Sequence, residues 1–403
     1  MPFTLRKTNP IPHDDQLHFE ALGMLAKSDR VLALMDDIGV TEPHLPDDIT
    51  ADFVGGIIGS AVPGARLEDM TTTASHSGMT DRRKWTLHWN AAGQAAGLPE
   101  SAFIKATPHL PAHREMLSVL HMDEAEVKLY RQIAPDIPDV TPHCHYARSY
   151  GGGRSLILLE DLEARGCKVY WQGYDCTIAH AYAVASAQAV YHSRYWQSER
   201  LLSDLSWVRP RTQRYGWPWL CDSHDEARTT FLTDPTEEEV PADVVPVLQM
   251  WHENCDRVYR HWDTLPRTLL HGDSHLGNTF EKPDGSAGYY DWQVLYAGHG
   301  LRDLSYFLMS ALTNEQRTAH ERPIFEHYLD AMADRGVKLD RQEAWDIYTL
   351  MAFDRWDATL VAYVHATYNH SREGQLRMFR TIAGAVRDHD VGGRLESLLK
   401  KID

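Results

Sequence analysis

Leu269-Leu270-His271-Gly272-Asp273-Ser274-His275-Leu276-Gly277-Asn278-Thr279-Phe280 is the most informative stretch of this chain. Leu269 and Leu270 read as the end of a short buried strand, and the residues after them are polar and punctuated by glycine. Asn278 opens a second strand, Pro283-Asp284-Gly285-Ser286 supplies a turn, and the return strand Gly288-Tyr289-Tyr290 delivers Asp291-Trp292-Gln293. One loop and one hairpin are therefore expected to bring Asp273, Asn278 and Asp291 together. Each of them alone reads most simply as a turn cap. Together they are the set that phosphoryl transfer from a nucleotide asks for. One carboxylate, Asp273, orients an attacking hydroxyl and accepts its proton; an amide oxygen, Asn278, and a second carboxylate, Asp291, hold Mg²⁺ on the phosphates.

Upstream of this stretch the patterns are those of a sheet. Strand signals begin at Phe53, and Trp85-Thr86-Leu87-His88-Trp89 alternates with period two, placing Trp85, Leu87 and Trp89 on one face. An Ala/Gly-rich turn, 90–97, leads to a strand over Ala102–Ala106. A helix is expected from about Ser118 to Ala134, stopped by Pro135. After Gly151-Gly152-Gly153 the continuous apolar run from Ser155 to Leu162 reads as a buried strand. Beyond it, helical patterns dominate at 177–196, 240–263, 300–312, 314–335, 342–367 and 373–386. The expected class is α+β in three parts: a helical extension over 1–50 with an apolar stretch around Leu22–Met35, a small strand-rich lobe over 51–162, and a larger helical lobe over 163–403.

His271-Gly-Asp273-Ser-His275-Leu-Gly-Asn278, followed by Asp291-Trp292-Gln293, resembles the signatures of the aminoglycoside phosphotransferase and choline kinase superfamily. The Asp-Trp-Gln ending and Leu159-Glu160-Asp161-Leu162 also resemble its ecdysteroid-kinase-like branch. The resemblance implies a two-lobed protein-kinase-like fold and an ATP- and Mg²⁺-dependent kinase acting on a hydroxyl of a small molecule. It implies Asp273 as catalytic residue, Asn278 and Asp291 as magnesium ligands, and Asp303, in Gly300-Leu-Arg-Asp303-Leu, as the aspartate that braces the catalytic loop.

A kinase-like site also needs a strand lysine for the α/β-phosphates, paired with a helical glutamate. Lys105 stands about where the resemblance expects it. Glu126 shares the apolar stripe of Met122, Leu129, Tyr130 and Ile133, so it points inward and wants a cationic partner. The expected loop over the phosphates is Thr73–Thr80, where Ser75, Ser77 and Gly78 let backbone N–H groups approach. It holds one glycine where protein kinases carry three. Arg82, Arg83 and Lys84 read as a solvated edge or as added charge near the nucleotide. The adenine is expected, by resemblance, at Glu160, Asp161 and Leu162.

His271, Asp273 and His275 admit a rival reading as ligands of a metal-dependent hydrolase, but that reading leaves Asp291 and the Lys105/Glu126 pair without a role. A second alternative is a kinase-fold nucleotide-binding regulatory protein without turnover. In the kinase reading, His271 holds the loop through backbone hydrogen bonds and His275 sits closer to the phosphates. For the acceptor, the lining candidates are Trp171, Tyr174, Trp217, Trp219 and Trp356, with Trp345 and Tyr348 on the same expected helix, all equally readable as core. Asp354 and Asp357 are expected to form a solvated acidic face, with contact to an ammonium group as the alternative.

Composition narrows the remaining classes. The chain has 403 residues with 40 Lys+Arg against 57 Asp+Glu, a net charge of −17, so general binding to nucleic acid or anionic lipid is not expected. With 43% hydrophobic residues it can build a sizeable core. Its five cysteines form no CxxC pair, as in reduced intracellular proteins. The first residues lack a secretory apolar core, and the longest uncharged stretch, Cys176 to Ser193, is too polar for a membrane span. A cytoplasmic enzyme is the expectation.

Overall fold

Trp85, Leu87 and Trp89 are each at most 3% exposed, and the sheet that buries them is the first of two compact units. The structure is a computed structural model that describes residues 42–171, 175–364 and 372–402. The expected helix at Leu22–Met35 lies outside the described residues. Within these, the first unit comprises 42–169 with 290–293, and the second comprises the remainder.

In the first unit, helix α1 (Ala51–Ile58) precedes strands β1 (Leu67–Ser77) and β2 (Asp81–Trp89). Then follow α2 (Ala91–Ala95), β3 (Ser101–Ala106), α3 (Pro111–Val119), α4 (Met122–Gln132), β4 (Cys144–Gly151) and β5 (Arg154–Glu160). The strands form one antiparallel sheet in the order β1-β2-β3-β5-β4. One face carries the core: Trp85, Leu87 and Trp89 pack with Val54, Leu67, Ile104, Leu156 and Leu158. Each tryptophan hides roughly 200 Å² of ring, on the order of several kcal/mol apiece before chain entropy is counted. Three expectations are corrected. The strand signal at Phe53 is a helix, because Thr50 caps its first turn by accepting from the Phe53 N–H. The single helix expected over Ser118–Ala134 is two, because His121 takes a left-handed conformation (φ 53°) between α3 and α4. The Thr73–Thr80 loop is mostly strand: the β-branched run Thr71–Thr73 keeps β1 paired as far as Ser77↔Asp81.

The second unit is mainly helical. Its elements are α5 (Ile178–Tyr195), α6 (Trp217–Thr233), α7 (Val245–Trp262), β6 (Thr268–Leu270), β7 (Thr279–Glu281), β8 (Ala287–Tyr289) and β9 (Tyr296–Gly298). Helices α8 (Leu301–Ala311), α9 (Asn314–Asp334), α10 (Arg341–Leu350), α11 (Ala352–Val364), α12 (Arg372–Asp388) and α13 (Val391–Leu399) complete it. The hairpin read from Pro283–Ser286 is present as β7 and β8, paired from Thr279↔Tyr289 to Glu281↔Ala287. β6 pairs with β9. The helix expected over 342–367 is broken at Met351 within its described part. The chain is α+β, with a small antiparallel-sheet unit and a larger helical one, as the protein-kinase-like reading requires. Among the described residues no helix is long and apolar enough to cross a membrane.

Candidate active site

Strand alternation sets the first cluster. In β3, Ile104 faces the Trp85 core, so Lys105 leaves the opposite face, where α4 packs against β4 and β5. Every member of the α4 stripe is buried, Glu126 included. The Lys105 Nζ donates to Glu126 at 2.5 Å, to Asp291 at 2.6 Å and to Gln293 at 3.4 Å. Burial disfavours the ammonium, but Asp291 and Glu126 outweigh it and hold Lys105 above the ordinary lysine pKa. Asp291 sits at φ 62°, a left-handed conformation that aspartate tolerates better than most residues.

The hairpin tip on the same sheet is short. Gly78 turns the chain, its N–H donating to the Thr80 carbonyl at 3.3 Å, and Ser77 donates its hydroxyl to Asp81. Ser75 is exposed on β1, opposite Arg83. The basic run is tied to acids: Arg83 pairs with Asp47 at 2.5 Å, and Lys84 with Asp161 and Glu163 at 2.8 Å each. After β5, the Glu160 carboxylate accepts from the His143 N–H and from Arg165. The Asp161 and Leu162 carbonyls accept from Arg165 and Cys167 and close a turn.

In the helical unit, β6 ends at Leu270 and the chain turns sharply at Gly272, whose φ is 85°. A Cβ there would lie 2.3 Å from the Val294 carbonyl oxygen, so only glycine fits. Asp303, fully buried, receives the loop: its carboxylate accepts from the His271 N–H at 2.6 Å, the Gly272 N–H at 3.3 Å and the Tyr191 hydroxyl at 3.0 Å. Its carbonyl takes the Ser274 hydroxyl at 2.7 Å. Burial opposes its charge, yet His192 at 3.6 Å and Arg302 at 3.0 Å hold its pKa far below the usual carboxylate range.

Asp273 projects from this braced loop. One carboxylate oxygen accepts the Tyr306 hydroxyl at 2.9 Å, and the other faces Asn278 Nδ2 at 3.3 Å and His275 Nε2 at 3.4 Å. Its side chain keeps 35% of its surface accessible, enough to meet a substrate. Burial would raise its pKa, but His275, and after it Arg355 and His271, hold it well below the ordinary range. Asn278 also donates Nδ2 to the Asp273 carbonyl at 2.9 Å, which leaves its Oδ1 as an oxygen donor. His271 is wholly buried against Tyr289, with Nδ1 accepting from the Asp273 N–H. That places it in the loop's framework, and it is poorly suited to the ligand role of the hydrolase reading. Among the described residues, no three His, Cys, Asp or Glu side chains converge as metal ligands.

The structure thus brings Asp273 together with Asn278, His271, His275 and Asp303, and Asp291 together with Lys105 and Glu126. Tyr306 and Arg355 went unread in the sequence; Tyr306, one turn after Asp303 on α8, was the available signal. The acceptor candidates fare differently. Trp356 is core, packed on Phe231 and Phe379. Trp171 is 60% exposed, Trp217 is buried against Tyr259, Trp219 is half-buried, and Tyr174 lies outside the described residues. The solvated acidic face is corrected outright. Asp354 is buried between Arg211 and Arg302, which hold it down to about 2 against the effect of burial. Asp357 is buried and accepts from Arg228 at 2.7 Å, Tyr259 at 2.6 Å and Trp251 at 3.1 Å.

The model of the ecdysteroid kinase-like family matches residues 85–340. No curated protein sequence matches the chain. Among solved structures it is similar to a choline kinase from Streptococcus pneumoniae, 12% identical with 83% of this chain and 98% of that one covered, at a TM-score of 0.46. It is also similar to a macrolide 2′-phosphotransferase from Brachybacterium faecium, 17% identical with 83% and 97% covered, at 0.43. A third is an ethanolamine kinase from Plasmodium vivax, 10% identical with 90% and 95% covered, at 0.48. With the family model spanning well over half of its length, the chain belongs to the ecdysteroid kinase-like family of kinase-like phosphotransferases.

Proposed function

We propose that this protein transfers the γ-phosphoryl group of ATP to a hydroxyl of a small molecule, with Asp273 as the catalytic residue. The observation that carries the reading is the placement of Asp273: partly accessible, and fixed by Tyr306, Asn278 and His275 on a loop that Asp303 braces. With its neighbours favouring the charged form, the carboxylate is available to accept a charge-assisted hydrogen bond from the acceptor hydroxyl. It orients the hydroxyl oxygen toward the γ-phosphorus. As the new O–P bond forms and the bond to the leaving β-phosphate oxygen breaks, the hydroxyl proton becomes acidic and passes to Asp273 late in the step.

Lys105, paired with Glu126, is the group for the α/β-phosphates, and the tip around Ser77 and Gly78 is the candidate to cover them. Asn278 and Asp291 present the amide and carboxylate oxygens that suit Mg²⁺, which when bound neutralises phosphate charge. Calorimetric titration of ATP, with and without Mg²⁺, into the wild type and Asp291→Ala tests the reading. Saturable binding that needs both the metal and Asp291 is expected. Equal affinity in the variant would remove Asp291 from the site.

A further inference from the structure

Arg82-Arg83-Lys84 follows the β1–β2 hairpin turn directly, and the sheet divides its three charges. Alternation along β2 puts Arg83 on the side of Trp85, Leu87 and Trp89. Arg82 and Lys84 leave the other side, with Lys105. Arg83 is answered by Asp47 at 2.5 Å, and Lys84 by Asp161 and Glu163 at 2.8 Å each. Arg82 is not answered. Among the described residues no acid lies within ion-pair distance of it, and its buried Nε has no hydrogen-bond partner.

Its place on the sheet gives that free charge a direction. β2 pairs Arg82 with Lys105 of β3 on one side and with His76 of β1 on the other, so the three form a row across the sheet with neighbouring Cβ atoms about 5 Å apart. The guanidinium reaches back beneath the turn: Nη2 lies 3.2 Å from the position that a Cβ on Gly78 would take. On its other flank it bears on the Tyr290 hydroxyl, whose pKa burial and Asp291 raise and Arg82 lowers. Arg82 therefore stands between the turn and the Lys105–Asp291 pair, within one unit of the fold. The donors expected at this turn are already engaged inside it. The Ser77 hydroxyl is given to Asp81, and the Gly78 N–H to the Thr80 carbonyl at 3.3 Å. Lys105 is likewise held by Glu126 and Asp291, whereas Arg82 keeps its donors for a ligand.

We propose that Arg82 binds the terminal phosphates of the nucleotide, beside the α/β-phosphate position of Lys105, and supplies at this hairpin what a glycine-rich loop supplies through backbone N–H groups. This rests on the phosphotransferase reading above and names the residue through which its nucleotide site tells a triphosphate from a monophosphate. Arginine suits the task because its planar fork meets two phosphate oxygens at once and it stays charged at any working pH. A guanidinium held in place without an acid partner has no ion pair to break when the phosphates arrive.

The test is calorimetric titration of Mg·ATP and of AMP, at constant ionic strength, into the full chain as wild type, Arg82→Gln, Arg82→Lys and Arg83→Gln. Arg82→Gln should weaken ATP binding about tenfold or more and Arg82→Lys less, while AMP affinity stays within about twofold. Arg83→Gln removes an equal charge from the other face of the same strand and should leave ATP within about twofold, which separates a contact from the general field. A melting temperature within about 3 °C of the wild type shows that each variant is folded. The proposal is overturned by ATP binding indifferent to Arg82→Gln, by an equal loss in Arg83→Gln, or by an equal loss for AMP. Failure of the phosphotransferase reading looks different: ATP would still bind through Arg82, and no phosphate would be transferred or released. A wild type that binds neither nucleotide would overturn both.

Discussion

The two units each contain a buried charge cluster, and the two clusters are built on different ratios of cation to acid. In the sheet unit a single ammonium, Lys105, serves two carboxylates, Glu126 and Asp291. In the helical unit Arg211 and Arg302 clasp Asp354, and Arg302 also reaches Asp303. The first sets one cation between two acids, and the second sets two guanidiniums against two acids. Interiors built only for stability match their ions or omit them, because an unmatched buried charge costs several kcal/mol.

The comparison can be broken most forcefully at Asp303. Asp303→Ala takes one carboxylate partner from Arg302 and releases the His271 and Gly272 N–H groups. A loss of about 3–5 kcal/mol in urea-unfolding stability is expected. A loss under about 1 kcal/mol would mean that the loop holds itself. Lys105→Met acts in the sheet unit, taking from Glu126 and Asp291 the ammonium they share. It should lower kcat/KM for ATP by roughly 100-fold, about 2.7 kcal/mol, and an unaltered value would place the phosphates elsewhere.

The sheet unit also holds Asp123, in the first turn of α4. Burial raises it to about 7 although the Ser149 hydroxyl donates to it at 3.1 Å. An unfolded aspartate titrates near 3.9, so the folded chain keeps this proton where the unfolded chain has lost it. The resulting stability is complete below about pH 4 and is lost as pH rises to about 7. Asp123→Asn should therefore stabilise the protein on the order of 1–3 kcal/mol at pH 8 and barely at pH 4–5, as read from melting curves. Equal gains at both pH values would mean that Asp123 is ionised throughout. Asp354, held down at about 2, acts in the opposite sense: its stabilisation is present above about pH 4 and fades as pH falls toward 2.

What could be read from the sequence was what local spacing encodes. The alternation of Trp85, Leu87 and Trp89 gave the core face of β2, and the stripe through Glu126 gave an inward carboxylate whose partner is Lys105. The hairpin followed from its turn residues. Local signals misled where one residue's backbone decided the outcome, as at His121, whose left-handed conformation divides α3 from α4. Helix α6 was missed because Trp217-Pro218-Trp219 drew attention as aromatic lining. Gly216 at φ 67° followed by proline in the first turn is a helix start. The arginine cluster was illegible for another reason. Arg302 and Asp354 are 52 residues apart, and Arg228 and Asp357 are 129 apart. No periodicity links such pairs, so two acids one helical turn apart looked like a solvated face.

The central claim is that Asp273 performs transfer, and slow turnover of labelled ATP by the wild type and Asp273→Asn tests it most directly. The variant should bind Mg·ATP within about threefold of the wild type while phosphate release falls by about 10³-fold or more. Phosphate release at the wild-type rate by a variant that still binds Mg·ATP would contradict the account.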